Sequence, residues 1–106
     1  MQIQYRLGAL GFLSSSEIRK YGTPNAALLD QRAALNWVRR NIAAFGGDST
    51  WVTLWGGSAG GGSVTNQLIL YGGEPKPPFR AAIAGMNPHP APQSIADQVI
   101  TEYPWR

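Results

Sequence analysis

The chain has 106 residues, 43% of them apolar and 14% charged, with a formal net charge of +3 and no cysteine. That is enough for one small domain with a modest core, it is too apolar for a disordered chain, and it leaves neither a disulfide framework nor a thiolate site. Its basic residues, including Arg19-Lys20 and Arg39-Arg40, are dispersed without a nucleic-acid recognition pattern, and no stretch approaches the roughly 18 apolar residues needed to span a bilayer.

In chain order, Ile3, Tyr5 and Leu7 alternate with Gln2, Gln4 and Arg6, a two-residue period that predicts a strand over 3–7. Gly8 and Gly11 break it, and Ser14 to Gly22 reads as a surface connection. Thr23 is placed to cap a helix with Pro24 in its first position, where no donor is needed. Leu28, Leu35, Val38, Ile42 and Phe45 recur at helical spacings and predict a helix over 24–45, with Arg32, Asn36 and Arg39 off the apolar stripe. Gly46-Gly47 end it, and Asp48 fits the turn that follows.

Val52 to Trp55 is a short apolar run, read as a central buried strand over 52–55. A second helix is predicted over 60–71, with Val64, Leu68 and Tyr71 on one face and Gly72-Gly73 as its stop. Gly60, Gly61 and Gly62 each cost that helix about 1 kcal/mol relative to alanine, which suggests close approach of helix to sheet. Pro75, Pro77 and Pro78 keep the next loop out of a sheet interior. A last strand is predicted over 80–84. Strands separated by helices imply an α/β unit with parallel strands and right-handed crossovers. Residues 1–106 contain no repeat and no second domain. Pro88, Pro90 and Pro92 make 87–106 a weakly structured tail, with a short helix available at 94–101.

Between the second strand and the second helix stands Gly56-Gly57-Ser58-Ala59-Gly60. Strand, Gly-x-Ser-x-Gly, helix is the pattern of a nucleophile elbow, which lifts a serine Oγ clear of a sharp turn. In that pattern Ser58 is the nucleophile, and the backbone N–H of Ala59 donates to the oxyanion. The bland alternative is a glycine-rich turn whose serine caps the helix. No metal-ligand spacing or cofactor motif occurs.

The surrounding words are more specific than the five-residue motif. Phe45-Gly46-Gly47-Asp48 and Val52 to Ser63, together with Tyr5 to Leu13, Asn25 to Arg32, Trp37 to Ile42, Tyr71-Gly72-Gly73 and Phe79 to Ala84, resemble the type-B carboxylesterase/lipase family over about the first 85 residues. This is the cholinesterase-like family, and the resemblance is to its fungal members. It implies a partial α/β-hydrolase fold and a serine esterase that works through an acyl-enzyme on a carboxylic ester. It also implies that residues 1–106 are an internal fragment of a much longer parent. The family's triad acid and histidine follow far downstream, and its oxyanion glycines lie upstream of Tyr5. The tail 87–106 would then lie on the pocket side.

Within 106 residues only His89 could act as a base. It sits between prolines where the resemblance places no triad histidine, and Asp97 and Glu102 follow it in the wrong order for this fold. Gly57 departs from the family, which usually carries glutamate directly before the serine. Its absence should change the potential at the triad histidine. The isolated chain is therefore expected to be inactive, with apolar faces exposed for self-association. The alternatives are a catalytically silent truncated product and a noncatalytic cholinesterase-like interaction protein. Retention of Ser58 disfavours the latter. Without a leader pattern, a cysteine or a glycosylation sequon, the sequence assigns no compartment.

Overall fold

The computed structural model describes residues 1–85. Expectations for the tail, including His89, Asp97 and Glu102, lie outside the described residues. The elements are α1 (Gly8–Phe12), α2 (Ser16–Tyr21), α3 (Ala26–Asn41) with a 3-10 turn at Ile42–Phe45, and β1 (Thr53–Gly57). They continue with α4 (Ala59–Ile69), a 3-10 turn at Leu70–Gly72, and β2 (Ala81–Gly85). β1 and β2 pair in parallel, in register from Thr53 opposite Ala81 to Gly57 opposite Gly85. The chain between them is the α4 crossover, as the alternation of strand and helix requires. α4 packs on both strands and α3 packs on α4.

Four sequence expectations change. The alternating segment at 3–7 is extended but joins no ladder. It faces β1 across a groove instead of lying beside it, and a two-residue period becomes a strand only where a neighbour takes its N–H and C=O groups. What fixes it is an ion pair. Arg6 reaches Asp30 of α3 with Nε at 2.7 Å and a terminal nitrogen at 2.6 Å. The surface connection contains α2, a helix because Ser15 caps it, accepting from the Ile18 N–H at 3.1 Å. Glu17 in its first turn and Arg19 and Lys20 in its last complement the helix dipole. α3 starts after Asn25 and not after Thr23. Asn25 adopts φ 53°, ψ 39°, a left-handed conformation that asparagine tolerates.

The fourth change concerns burial. Arg32 lies four residues after Leu28 and three before Leu35, so it shares their face, and it is only 5% exposed. Its Nε donates to Gln67 Oε1 at 2.8 Å and a terminal nitrogen donates to the Gln67 carbonyl at 2.7 Å. The other terminal nitrogen pairs with Glu74. Gln67 in turn donates to the Leu28 carbonyl at 2.7 Å, and Gln31 donates to Ser63 Oγ at 3.1 Å. The guanidinium thus satisfies one of the orphan carbonyls at the end of α4 and joins α4 to α3. Burial of a charge is tolerable here because each face of it has a partner.

The apolar core around this network is Ala27, Leu28, Leu35, Val64, Leu70 and Phe79. The later part of the expected stripe is less covered. Val38 and Ile42 are half-buried, and Phe45 is exposed against the Trp37 ring at 5.9 Å. β1 is not buried on both faces either: Leu54 and Gly56 are half-buried, while Trp55 is 76% exposed. Among the described residues no element covers the sheet face carrying Trp55 and Ile83.

Candidate active site

β1 delivers the chain to Ser58 and α4 leaves from it, so the serine occupies the strand-to-helix junction. Its backbone sits at φ 53°, ψ −122°, a region costly for a residue with a side chain. Two hydrogen bonds hold this turn. The Ser58 N–H donates to the Gly85 carbonyl at 3.0 Å, and the Ser58 carbonyl accepts from Gly62 at 3.0 Å. Ser58 is exposed, and its hydroxyl makes no cap hydrogen bond to α4. That argues against the capping alternative, because a capping serine spends its oxygen on the N–H groups of the first turn.

Two glycines make the turn sterically possible. A Cβ on Gly56 would strike the backbone of Gly60, and one on Gly61 would stand 2.6 Å from the Gly85 carbonyl oxygen. Gly61 therefore sets the close approach of α4 to β2. Gly60 and Gly62 have open space where a Cβ would point, so the steric demand expected of all three helix glycines falls on one. Gly57 also has room, its nearest neighbour being the Gly85 oxygen at 4.0 Å.

Ala59 is the first residue of α4. Its N–H belongs to the opening turn, where helix donors have no intrahelical partner. Ser58 and Ala59 thus share one exposed corner, with the positive end of the α4 dipole behind it. Asp48 lies at the other end of β1. It accepts from the Thr50 N–H at 2.8 Å and the Thr50 hydroxyl at 2.7 Å. The Thr50 side-chain bond, then its backbone bond, holds the carboxyl below the usual aspartate range. Asp48 is a turn residue, as its sequence position suggested. Among the described residues no histidine approaches Ser58 and no three His, Cys, Asp or Glu side chains gather where they could hold a metal.

The Arg32–Gln67 tie that anchors α4 was not expected from the sequence. The signal was available in the spacing of Arg32 from Leu28 and Leu35, which outweighs its charge once a partner is in reach.

The comparisons with known proteins agree with this geometry. The carboxylesterase family matches residues 1–86. Secreted lipase 1 of Botryotinia fuckeliana is 53% identical over 87 residues, covering 78% of this chain and 15% of the lipase. Carboxylesterase patB of Penicillium expansum is 52% identical over 83 residues, again covering 15% of the relative. Among solved structures, EstA of Aspergillus niger superposes with a TM-score of 0.72 at 51% identity, over 76% of this chain and 16% of EstA. A PNB esterase superposes with a TM-score of 0.68 at 46% identity, over 77% of this chain and 18% of the esterase. The chain thus spans about 15% of the length of the relatives it matches. It belongs to the carboxylesterase family, with the partial α/β-hydrolase fold that its strand–helix unit displays.

Proposed function

We propose that these residues carry the nucleophile of a serine-type carboxylic ester hydrolase. Ser58 Oγ attacks the ester carbonyl carbon, forming a C–O bond as the carbonyl oxygen takes on negative charge. The Ala59 N–H donates to that oxygen, a contact worth about 3 kcal/mol in the transition state. Collapse expels the alcohol, which takes the proton removed from Ser58, and leaves an acyl-enzyme. Water then releases the carboxylic acid and restores the hydroxyl. The observation that carries this reading is Ser58 itself, held at φ 53° on a strand-to-helix junction with its hydroxyl exposed and free of capping. Membership of a family that includes fungal secreted lipases supports it.

The proton must leave Ser58 for a base, and among the described residues no side chain hydrogen-bonds its hydroxyl. We therefore read the 106 residues alone as inactive, with a histidine and an orienting acid supplied by the remainder of a longer enzyme. The purified 106-residue chain should hydrolyse a short activated ester no faster than buffer does. It should not be labelled by an organophosphonate. Turnover by this chain that disappears in Ser58→Ala would contradict the second statement and uphold the first.

A further inference from the structure

α2 stands apart from the rest of the molecule. It has six residues and none is buried, and among the described residues no helix or strand packs against it. Its hydrogen bonds are local. Ser15 Oγ accepts from the Ile18 N–H at 3.1 Å, and the Ser15 and Ile18 carbonyls accept from Arg19 at 3.0 Å and from Gly22 at 2.8 Å. A helix this short is marginal without tertiary packing, so α2 opens at small cost and takes nothing else with it.

The two ends of this excursion are fixed. α1 packs on α3, where a Cβ on Gly11 would stand 2.8 Å from that of Ala27. Arg6 also ties the segment before α1 to α3, donating from its backbone and its side chain to the Asp30 carboxylate. Residues 12–26 thus leave α3 and return to it as a surface loop. Near its middle stand Arg19, Lys20 and Tyr21, all exposed.

The other basic residues among those described are held. Arg6 is paired with Asp30, and Arg32 is buried against Gln67 and Glu74. Arg39 and Arg40 are exposed but lie in the last turn of α3. There the Trp37 and Phe45 rings pair at 5.9 Å and Asn41 donates to the Trp37 carbonyl at 2.8 Å. Lys76 precedes Pro77, whose ring removes the N–H and fixes φ. Arg80 donates its N–H to the Val52 carbonyl at 2.7 Å and lays its guanidinium over the Trp51 ring at 3.5 Å.

We infer that α2 is a proteolytic processing site, cut after Arg19 or Lys20 by an endoprotease whose specificity pocket carries a carboxylate. Such an enzyme takes its substrate as an extended strand. α2 can become one by itself, whereas the chain around Arg32, Arg39, Arg40 and Arg80 must first leave packed structure. Water adds across the peptide bond, leaving a carboxylate on Arg19 or Lys20 and an amine on the residue after it. All of α3, β1, α4 and β2 follow the cut, so the elbow survives it. The inference rests on packing and charge and is independent of the esterase reading.

Limited digestion of the 106-residue chain with trypsin tests it, with fragments identified by mass spectrometry. Cleavage after Arg19 or Lys20 should run about tenfold or more ahead of cleavage after Arg32, Arg39, Arg40 or Arg80. In the nicked product those four bonds should stay as slow as before. Ser15→Ala should quicken the first cut about fivefold, because it removes the cap and slow cleavage tracks the population of open helix. Arg19→Gln combined with Lys20→Gln should leave the chain whole over the same time. A first cut elsewhere, or equal rates at every basic residue, would overturn the inference. So would a rate that Ser15→Ala leaves unchanged, since opening of α2 would then not be the gate. Rapid cleavage after Arg32 and Arg39 as soon as the nick forms would overturn it too, since the elbow unit would not have survived.

Discussion

At the scale of single residues, Ser58 combines a costly backbone conformation with an unused hydroxyl. Strain of this kind amounts to about 1–3 kcal/mol. Ser58→Gly should therefore stabilise the fold by about 1 kcal/mol while removing the nucleophile, read as a rise in the thermal midpoint. A midpoint unchanged or lower would mean that the turn is not strained. The helix glycines give a second contrast. Gly61→Ala should destabilise by about 1–3 kcal/mol, because the Gly85 backbone cannot yield easily. Gly62→Ala should stabilise by about 0.5–1 kcal/mol, because its Cβ would point into open space. Equal effects at the two positions, measured by denaturant unfolding, would contradict the steric assignment. Gly57→Glu should fold normally, since its nearest neighbour is 4.0 Å away. In a complete enzyme the added carboxylate favours the charged imidazolium of the base. The base pKa then rises, and the acid limb of the kcat/KM profile moves to higher pH. The place of Ser58 at a strand-to-helix junction was legible from five letters and their flanks. Which glycines were sterically required was not, because that depends on Gly85, which sits on another strand.

At the scale of elements, α4 is held by its far end as well as by the elbow. Arg32 binds the Gln67 side chain and carbonyl and pairs with Glu74. Arg32→Ala would leave the buried Gln67 side-chain oxygen and carbonyl without their donor, a loss of about 1–3 kcal/mol, while the more exposed Glu74 returns to water. Arg32→Lys should recover little of it, since one ammonium cannot make the forked contacts of a guanidinium. Full recovery by lysine in equilibrium unfolding would reduce the role to charge alone. The Arg6–Asp30 pair shapes the acid limb of stability. Hydrogen bonding from Arg6 lowers the Asp30 carboxyl below its ordinary value. A carboxyl lowered on folding adds stability above its unfolded pKa, and loses it as pH falls through the lower folded value. Unfolding below about pH 4 should therefore be less pH-dependent in Asp30→Asn. Helix and strand periods located α3, α4, β1 and β2 to within a few residues. The N-terminal strand failed because a ladder needs a neighbour that periodicity cannot show. α2 was missed because its cap, Ser15, is one of three consecutive serines with no apolar stripe behind it.

At the scale of the whole molecule, a small core coexists with exposed large apolar side chains. Trp55 and Ile83 on the sheet, and Trp51 just before it, are 76%, 55% and 67% exposed, more than a small monomer usually leaves open. The sequence resemblance to part of a longer family already implied such exposed faces, and the 15% span of the relatives agrees with it. What the sequence of these residues cannot encode is the groove beside β1, whose shape comes from elements that stand apart along the chain. The central claim is that Ser58 is the acylated residue. The most direct test joins residues 1–85 to the remainder of a carboxylesterase such as EstA, treats the folded hybrid with an organophosphonate, and maps the adduct by peptide mass spectrometry. We expect one adduct per chain, on Ser58, and loss of both adduct and ester hydrolysis in Ser58→Ala by a factor on the order of 10⁴ or more. An active hybrid labelled at another residue, or one that keeps its turnover in Ser58→Ala, would contradict it.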